Sequence, residues 1–99
     1  MATNLTTNAT TTFTGINAGK VFFVKVTGNW GGSTSVAVQT SNGNTTAEAW
    51  ETYPVNGTLT SNSAYYYQNG DADNVKLATS SVTPNTTSLW AQVVEVKSL

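Results

Sequence analysis

Apolar and polar residues alternate along much of this chain with a period of two. The clearest case is Lys20 to Thr27, "KVFFVKVT", where Phe22, Val24 and Val26 make one face and Val21, Phe23 and Lys25 the other. Successive side chains of a strand point to opposite sides, so the segment reads as a β-strand with a core face and a second, partly covered face. The same reading applies to "STSVAVQTS" (Ser33 to Ser41, with Val36 and Val38 inward), "TTAEAWETYPV" around Trp50, the short "GTLT", "SAYYYQ", "NVKLATS" and the closing "SLWAQVVEVKSL". Turn signals separate them: Asn42-Gly43, Asn56-Gly57, the "NGDAD" stretch and Thr83-Pro84-Asn85. Asn-Gly pairs tolerate the positive φ of tight hairpins, and Pro54, without an N–H, ends its strand or marks an edge. No window has helical periodicity. About 7–8 short strands, spaced by roughly 8–12 residues, predict an all-β fold, a single antiparallel β-sandwich or jelly-roll-like domain.

That domain is expected over residues 13–99, since Phe13 and Ile16 begin the apolar signal. Met1 to Thr12 is Thr/Asn-rich and nearly without core residues, and is expected to be a flexible arm or a first edge strand. A length of 99 residues suits one small domain.

Composition narrows the function classes. Charged residues are 9% of the chain, and Thr, Ser and Asn together make about 40%, a bias that favours strands and turns. Four lysines, no arginine and a net charge of −1 cannot build a phosphate-tracking groove, so nucleic acid is not an expected partner. Nor is a membrane: the chain has neither an apolar run of about 20 residues nor a basic amphipathic helix. The opening residues lack the charged and apolar regions of a secretory signal, so synthesis in the cytoplasm is expected. The five Asn-x-Ser/Thr sequences, at Asn4, Asn8, Asn44, Asn56 and Asn85, then follow from the Asn/Thr-rich composition. So little charge leaves two readings open: a surface covered in use, or a hydroxyl- and amide-rich surface soluble by itself.

Histidine and cysteine are absent, which removes the commonest general base, the best nucleophile and thiolate metal sites. Of the five carboxylates, Glu48 and Glu51 differ in parity on one strand and should face opposite ways. A glycosidase needs two carboxyl groups facing each other across a cleft, so no enzyme is expected. Asp71 and Asp73 in "NGDADN" offer oxygen ligands but no closing Glu; the stretch reads as a turn, and no metal or cofactor is expected. The aromatic residues remain. Trp30 stands between glycines in "GNWGG", and Tyr65, Tyr66 and Tyr67 run along one strand, where at least one must face outward. These four are the candidate partner or glycan contacts. For Trp30, Trp50 and Trp90 alike the alternatives are a core or loop-plugging ring, a protein interface, or a sugar platform.

Residues 24–60, "VKVTGNWGGSTSVAVQTSNGNTTAEAWETYPVNGTLT", resemble a loose group of small phage virion proteins. The shared pattern is a strand ending in Thr-Gly, an aromatic in a small-residue turn, an alternating Val strand, and a polar Asn-Gly turn before a Trp strand. "NVKLATSSVTPNTTSLWAQVVEV" (residues 74–96) and "TTFTGINAGKVFFVKV" are similar to the group's closing strands and first hairpin. The turn before Trp50 is longer here and lacks the Asp usual in the group. The resemblance implies a non-enzymatic structural protein of the virion, on the capsid exterior, decorating or cementing the head by contact with the major capsid protein or other virion proteins. It also implies a homo-oligomer, often a trimer. A tail or fibre subunit, or a glycan-binding module, is the alternative. In that pattern Trp30 folds over one end of the sandwich or packs on a neighbouring subunit.

Overall fold

In the computed structural model, which describes residues 2–41 and 50–97, nine strands form two antiparallel sheets. They are β1 (Thr3–Leu5), β2 (Ala9–Thr14), β3 (Val21–Asn29), β4 (Ser35–Ser41), β5 (Trp50–Thr52), β6 (Thr58–Leu59), β7 (Ser63–Gln68), β8 (Asn74–Ser80) and β9 (Ser88–Glu95). One sheet runs β1-β9-β3-β7; the other runs β2-β8-β4-β5, with β6 also on β4. The radius of gyration, 13.1 Å, is that of one folded body of this length. The architecture is an all-β sandwich, with more strands among the described residues than the 7–8 expected. The Asn42-Gly43 turn, Asn44 and Glu48 lie outside the described residues.

The alternation sets the core. Phe22, Val24 and Val26 of β3, Leu89 and Ala91 of β9, Val36 and Val38 of β4, and Val75 and Leu77 of β8 are fully buried between the sheets. Tyr67 stacks on Phe22 (5.4 Å between ring centroids) and meets the edge of Tyr53 (5.1 Å). Its hydroxyl donates to Asn56 O at 2.6 Å, and burial pushes its pKa up to about 12.

The first twelve residues supply β1, which pairs with β9, and most of β2, which pairs with β8; each lies at the edge of a different sheet. This is the edge-strand alternative offered by the sequence, and Leu5, 4% exposed, adds one residue of the stretch to the core. A single apolar residue among Thr and Asn has no period to reveal it. On the far edge of β4 the Pro54 turn interrupts what would be one strand: β5 pairs with Gln39–Ser41, β6 with Val36–Ala37. Between them Tyr53 N–H donates to Val38 O (2.8 Å) and Val38 N–H to Gly57 O (2.7 Å).

At one end of the sandwich the loop before β4 and the loop before β9 are joined by buried hydroxyls. Thr83 N–H donates to Thr87 Oγ1 (2.9 Å), Thr87 and Thr34 hydroxyls meet at 2.8 Å, and Thr34 donates to Ser81 O (3.1 Å). Since Thr34 spends its proton on a carbonyl, Thr87 must donate to Thr34. The other end is held by Asn69, whose side-chain N–H₂ donates to Ile16 O and Ala72 O, both at 2.8 Å.

Candidate binding surface

The register of the four-stranded sheet determines what its outer face presents. Phe23 of β3 lies opposite Val94 of β9 on one side and Tyr66 of β7 on the other, giving an apolar row across three strands. The Phe23 and Tyr66 rings are 5.1 Å apart, tilted by 51°. The next outward row is Gln92, Lys25 and Ala64. Beyond it Trp90 stands beside Thr27 and Asn4, four strand positions from Val94, or about 13 Å along the strand. Tyr66 is 67% exposed, Trp90 51% and Val94 45%. Exposed rings grouped on one face, rather than scattered, mark contact surfaces.

Two polar side chains of this face, Asn4 and Gln68, are committed to the protein itself. Asn4 Nδ2 donates to Leu89 O at 2.9 Å and to Ser88 Oγ at 3.2 Å, and Gln68 Nε2 donates to Gly19 O at 3.2 Å. Gln92, Lys25, Thr27 and the Tyr66 hydroxyl are left to meet a ligand. A sugar site needs several convergent hydrogen-bonding groups beside its ring, whereas those of this face are spread over three strands.

The aromatic residues singled out in the sequence are dispersed. Trp30 is half-buried and packs against the core cluster. Its Nε1–H donates to Asn62 Oδ1 at 2.9 Å, an oxygen that also accepts from Gly28 N–H at 3.0 Å. The glycines explain themselves at two positions. Gly28 has φ +138° and a Cβ there would strike Ser88 O; Gly31 has φ +66° and faces the Thr83 and Thr87 side chains. Side chains rarely adopt such φ, and these two also have no room. Trp30 therefore closes one end of the sandwich. Of the three tyrosines, Tyr67 is in the core, Tyr65 shares its side of the sheet but is 38% exposed at the edge, and Tyr66 faces outward.

Phe23 and Val94 were not singled out by sequence reasoning, and Trp90 was weighed with Trp30 and Trp50 but not counted among the candidate contacts. The available signal was strand parity: once Phe22 is inward, Phe23 must be outward. In the last strand parity alone is ambiguous, because Trp90, Val94 and Val96 look as apolar as Leu89, Ala91 and Val93.

Trp50 lies on the outer face of the other sheet, half-buried, with Lys76 Nζ 4.2 Å from its ring centroid. Two carboxylates, Glu95 and Asp73, hold a loop. Glu95 accepts from Asn17 N–H (2.7 Å) and pairs with Lys97 (2.8 Å); hydrogen bonds from Lys97 and then Asn17 hold its pKa below the usual carboxylate value. Asp73 accepts from Ala18 N–H at 3.0 Å. Among the described residues no three His, Cys, Asp or Glu side chains gather as a metal site. A groove of about 500 Å³ runs between Thr6–Thr7 and Pro84–Ser88; its lining holds no titratable or aromatic side chain. Compared with protein-family models, curated proteins and solved structures, the chain gives no match.

Proposed function

We propose that this protein is a non-enzymatic binding protein that docks on a protein partner through the Trp90 face of its four-stranded sheet. The observation that carries this is the exposure of Trp90, Tyr66 and Val94 on one face, with Phe23 between Val94 and Tyr66 and Trp90 beyond the Gln92–Lys25 row. The polar groups left there are spread over three strands rather than gathered beside one ring, which supports a protein partner over the glycan alternative. Trp and Tyr are the residues that most often dominate protein–protein binding energy.

The identity of the partner rests on the resemblance of residues 24–60 and 74–96 to small phage virion proteins. On that ground the protein is a capsid decoration or cement protein, bound to the outer surface of the head. Many copies on one particle multiply a modest single-site affinity.

The experiment is co-sedimentation with phage heads stripped of this protein, using the native chain and Trp90→Ala. Saturable binding by the native chain, lost by at least tenfold in Trp90→Ala with an unchanged melting temperature, supports both parts. Binding that Trp90→Ala leaves intact rejects the face. No binding at all rejects the particle, and quenching of Trp emission by added oligosaccharide would then favour the glycan reading.

A further inference from the structure

Among the described residues β7 is an open edge of the four-stranded sheet, and its middle has none of the protections that keep edge strands apart. Asn69 N–H donates to Lys20 O at 2.8 Å, toward β3. Backbone groups of an antiparallel strand turn to alternate sides, so Tyr65 and Tyr67 bond β3 while Ala64, Tyr66 and Gln68 present N–H and C=O outward. Gln68 N–H is taken by the Tyr53 hydroxyl at 3.4 Å. Ala64 and Tyr66 have no such cover among the described residues. "SAYYYQ" contains no charge, no proline and no glycine, where protected edges carry Lys, Pro or a bulge. β1 and β5 are three-residue edges, and β2, though as long as β7, carries threonines rather than rings on its outer face. At β7 the open backbone coincides with the most exposed ring in the described chain, Tyr66.

We infer that β7 pairs antiparallel with β7 of a second copy about a two-fold axis, making one continuous sheet from two four-stranded ones. The open groups select the register. Ala64 of each copy exchanges its backbone hydrogen bonds with Tyr66 of the other, and Tyr65 faces Tyr65 across the axis. Each Tyr66 ring then lies over the small Ala64, and the half-exposed Tyr65 rings cover each other, a favourable cross-strand aromatic pair. A register centred on Tyr66 would need the Gln68 N–H that Tyr53 holds. No charge lies in the paired segment, so self-pairing brings no like charges together. Such an interface is isologous and closes at two copies, unlike the trimer implied by the resemblance. It shares Tyr66 with the docking face, and in this register each Val94–Phe23–Tyr66 row runs on into the partner's Ala64–Lys25–Gln92 row.

The test uses the absence of cysteine. At a non-hydrogen-bonded antiparallel pair the Cα atoms are about 4.5 Å apart, within the roughly 4.4–6.8 Å that a disulfide spans. Tyr65→Cys is therefore expected to cross-link to a covalent dimer under mild oxidation, with Thr12→Cys on the far sheet as the control. Ala64→Pro removes an outward N–H and places a ring in the partner's path, a change an edge strand tolerates. Sedimentation of the native chain is expected to show a dimer, and that of Ala64→Pro a monomer of 10.4 kDa with an unchanged circular dichroism spectrum. A native chain that stays monomeric into the millimolar range, cross-linking of Tyr65→Cys no faster than the control, or a dimer that survives Ala64→Pro would each overturn the inference.

Discussion

On the five-stranded sheet the outward positions are Thr10, Thr12 and Thr14 of β2, Asn74, Lys76, Ala78 and Ser80 of β8, and Ser35, Ala37 and Gln39 of β4. On the four-stranded sheet they include Phe23, Tyr66, Trp90 and Val94. Both faces obey the same alternation and enclose the same core. The first shows how a chain with 9% charged residues finishes a surface: hydroxyls and small side chains replace charges, and its one large ring, Trp50, lies under a lysine. Low charge alone is thus no sign of a hidden surface. The second face departs from that finish, and an exposed cluster of large apolar groups is informative where a single exposed residue is not.

The largest effect separates two adjacent phenylalanines on β3. Phe22 is fully buried and Phe23 faces outward. Phe22→Ala is expected to cost about 3–5 kcal/mol, enough to leave the domain marginal or unfolded. Phe23→Ala is expected to cost under about 1.5 kcal/mol, the order of its pairing with Tyr66, and to weaken docking. Urea unfolding of both variants measures the difference. Equal losses would mean that Phe23 is structural, and the contrast between the two outer faces would lose its functional meaning.

A smaller effect has opposite signs at two buried threonines. Thr79 points into the core from β8 at 5% exposure, and its hydroxyl has no hydrogen-bond partner among the described residues. Thr87, at 4%, sits in the hydroxyl chain with Thr83 and Thr34. A buried polar group left unpaired is costly, while one that satisfies others is costly to remove. Thr79→Val is expected to raise stability by about 1 kcal/mol, a melting-temperature gain of roughly 4–8 °C for a domain of this size. Thr87→Val is expected to lower stability by about 1–3 kcal/mol, because Thr83 N–H is left unmet. Thr12→Val, on the hydroxyl-finished outer face, should change melting by little. Calorimetry of the three variants sharpens the distinction between threonine as surface and threonine as core.

Most of the sandwich could be read from the sequence, because Val and Phe at every second position define strands wherever several occur together. "ATTTFT" and "TNL" escaped a firm reading because threonine fits strands without marking a face. The docking face was legible only in part. Parity placed Phe23 opposite Phe22, but in "SLWAQVVEV" both parities are apolar, and only the pairing Gly28–Leu89 and Val26–Ala91 turns Trp90 outward. Trp30 drew attention because glycines flank it, yet those glycines answer backbone demands set by Ser88, Thr83 and Thr87, more than fifty residues away. Contacts so distant in the chain leave no local pattern.

The smallest effect tests whether the hydroxyl-rich face is in fact closed. Its only large ring among the described residues, Trp50, has Lys76 Nζ at 4.2 Å from the ring centroid, a geometry worth about 0.5–1 kcal/mol at such exposure. Lys76→Ala is expected to cost about that much, and Lys76→Arg to keep it, because a guanidinium also lies well on an indole. The loss need not come from the pair, since truncating a lysine also removes its methylene stem. A double-mutant cycle with Trp50→Ala isolates the pair: a coupling of about 0.5 kcal/mol or more places the ammonium on the ring. No coupling would mean that Trp50 is not held under the lysine. Both outer faces would then present an uncovered ring, and Trp90 would no longer be set apart by its surroundings.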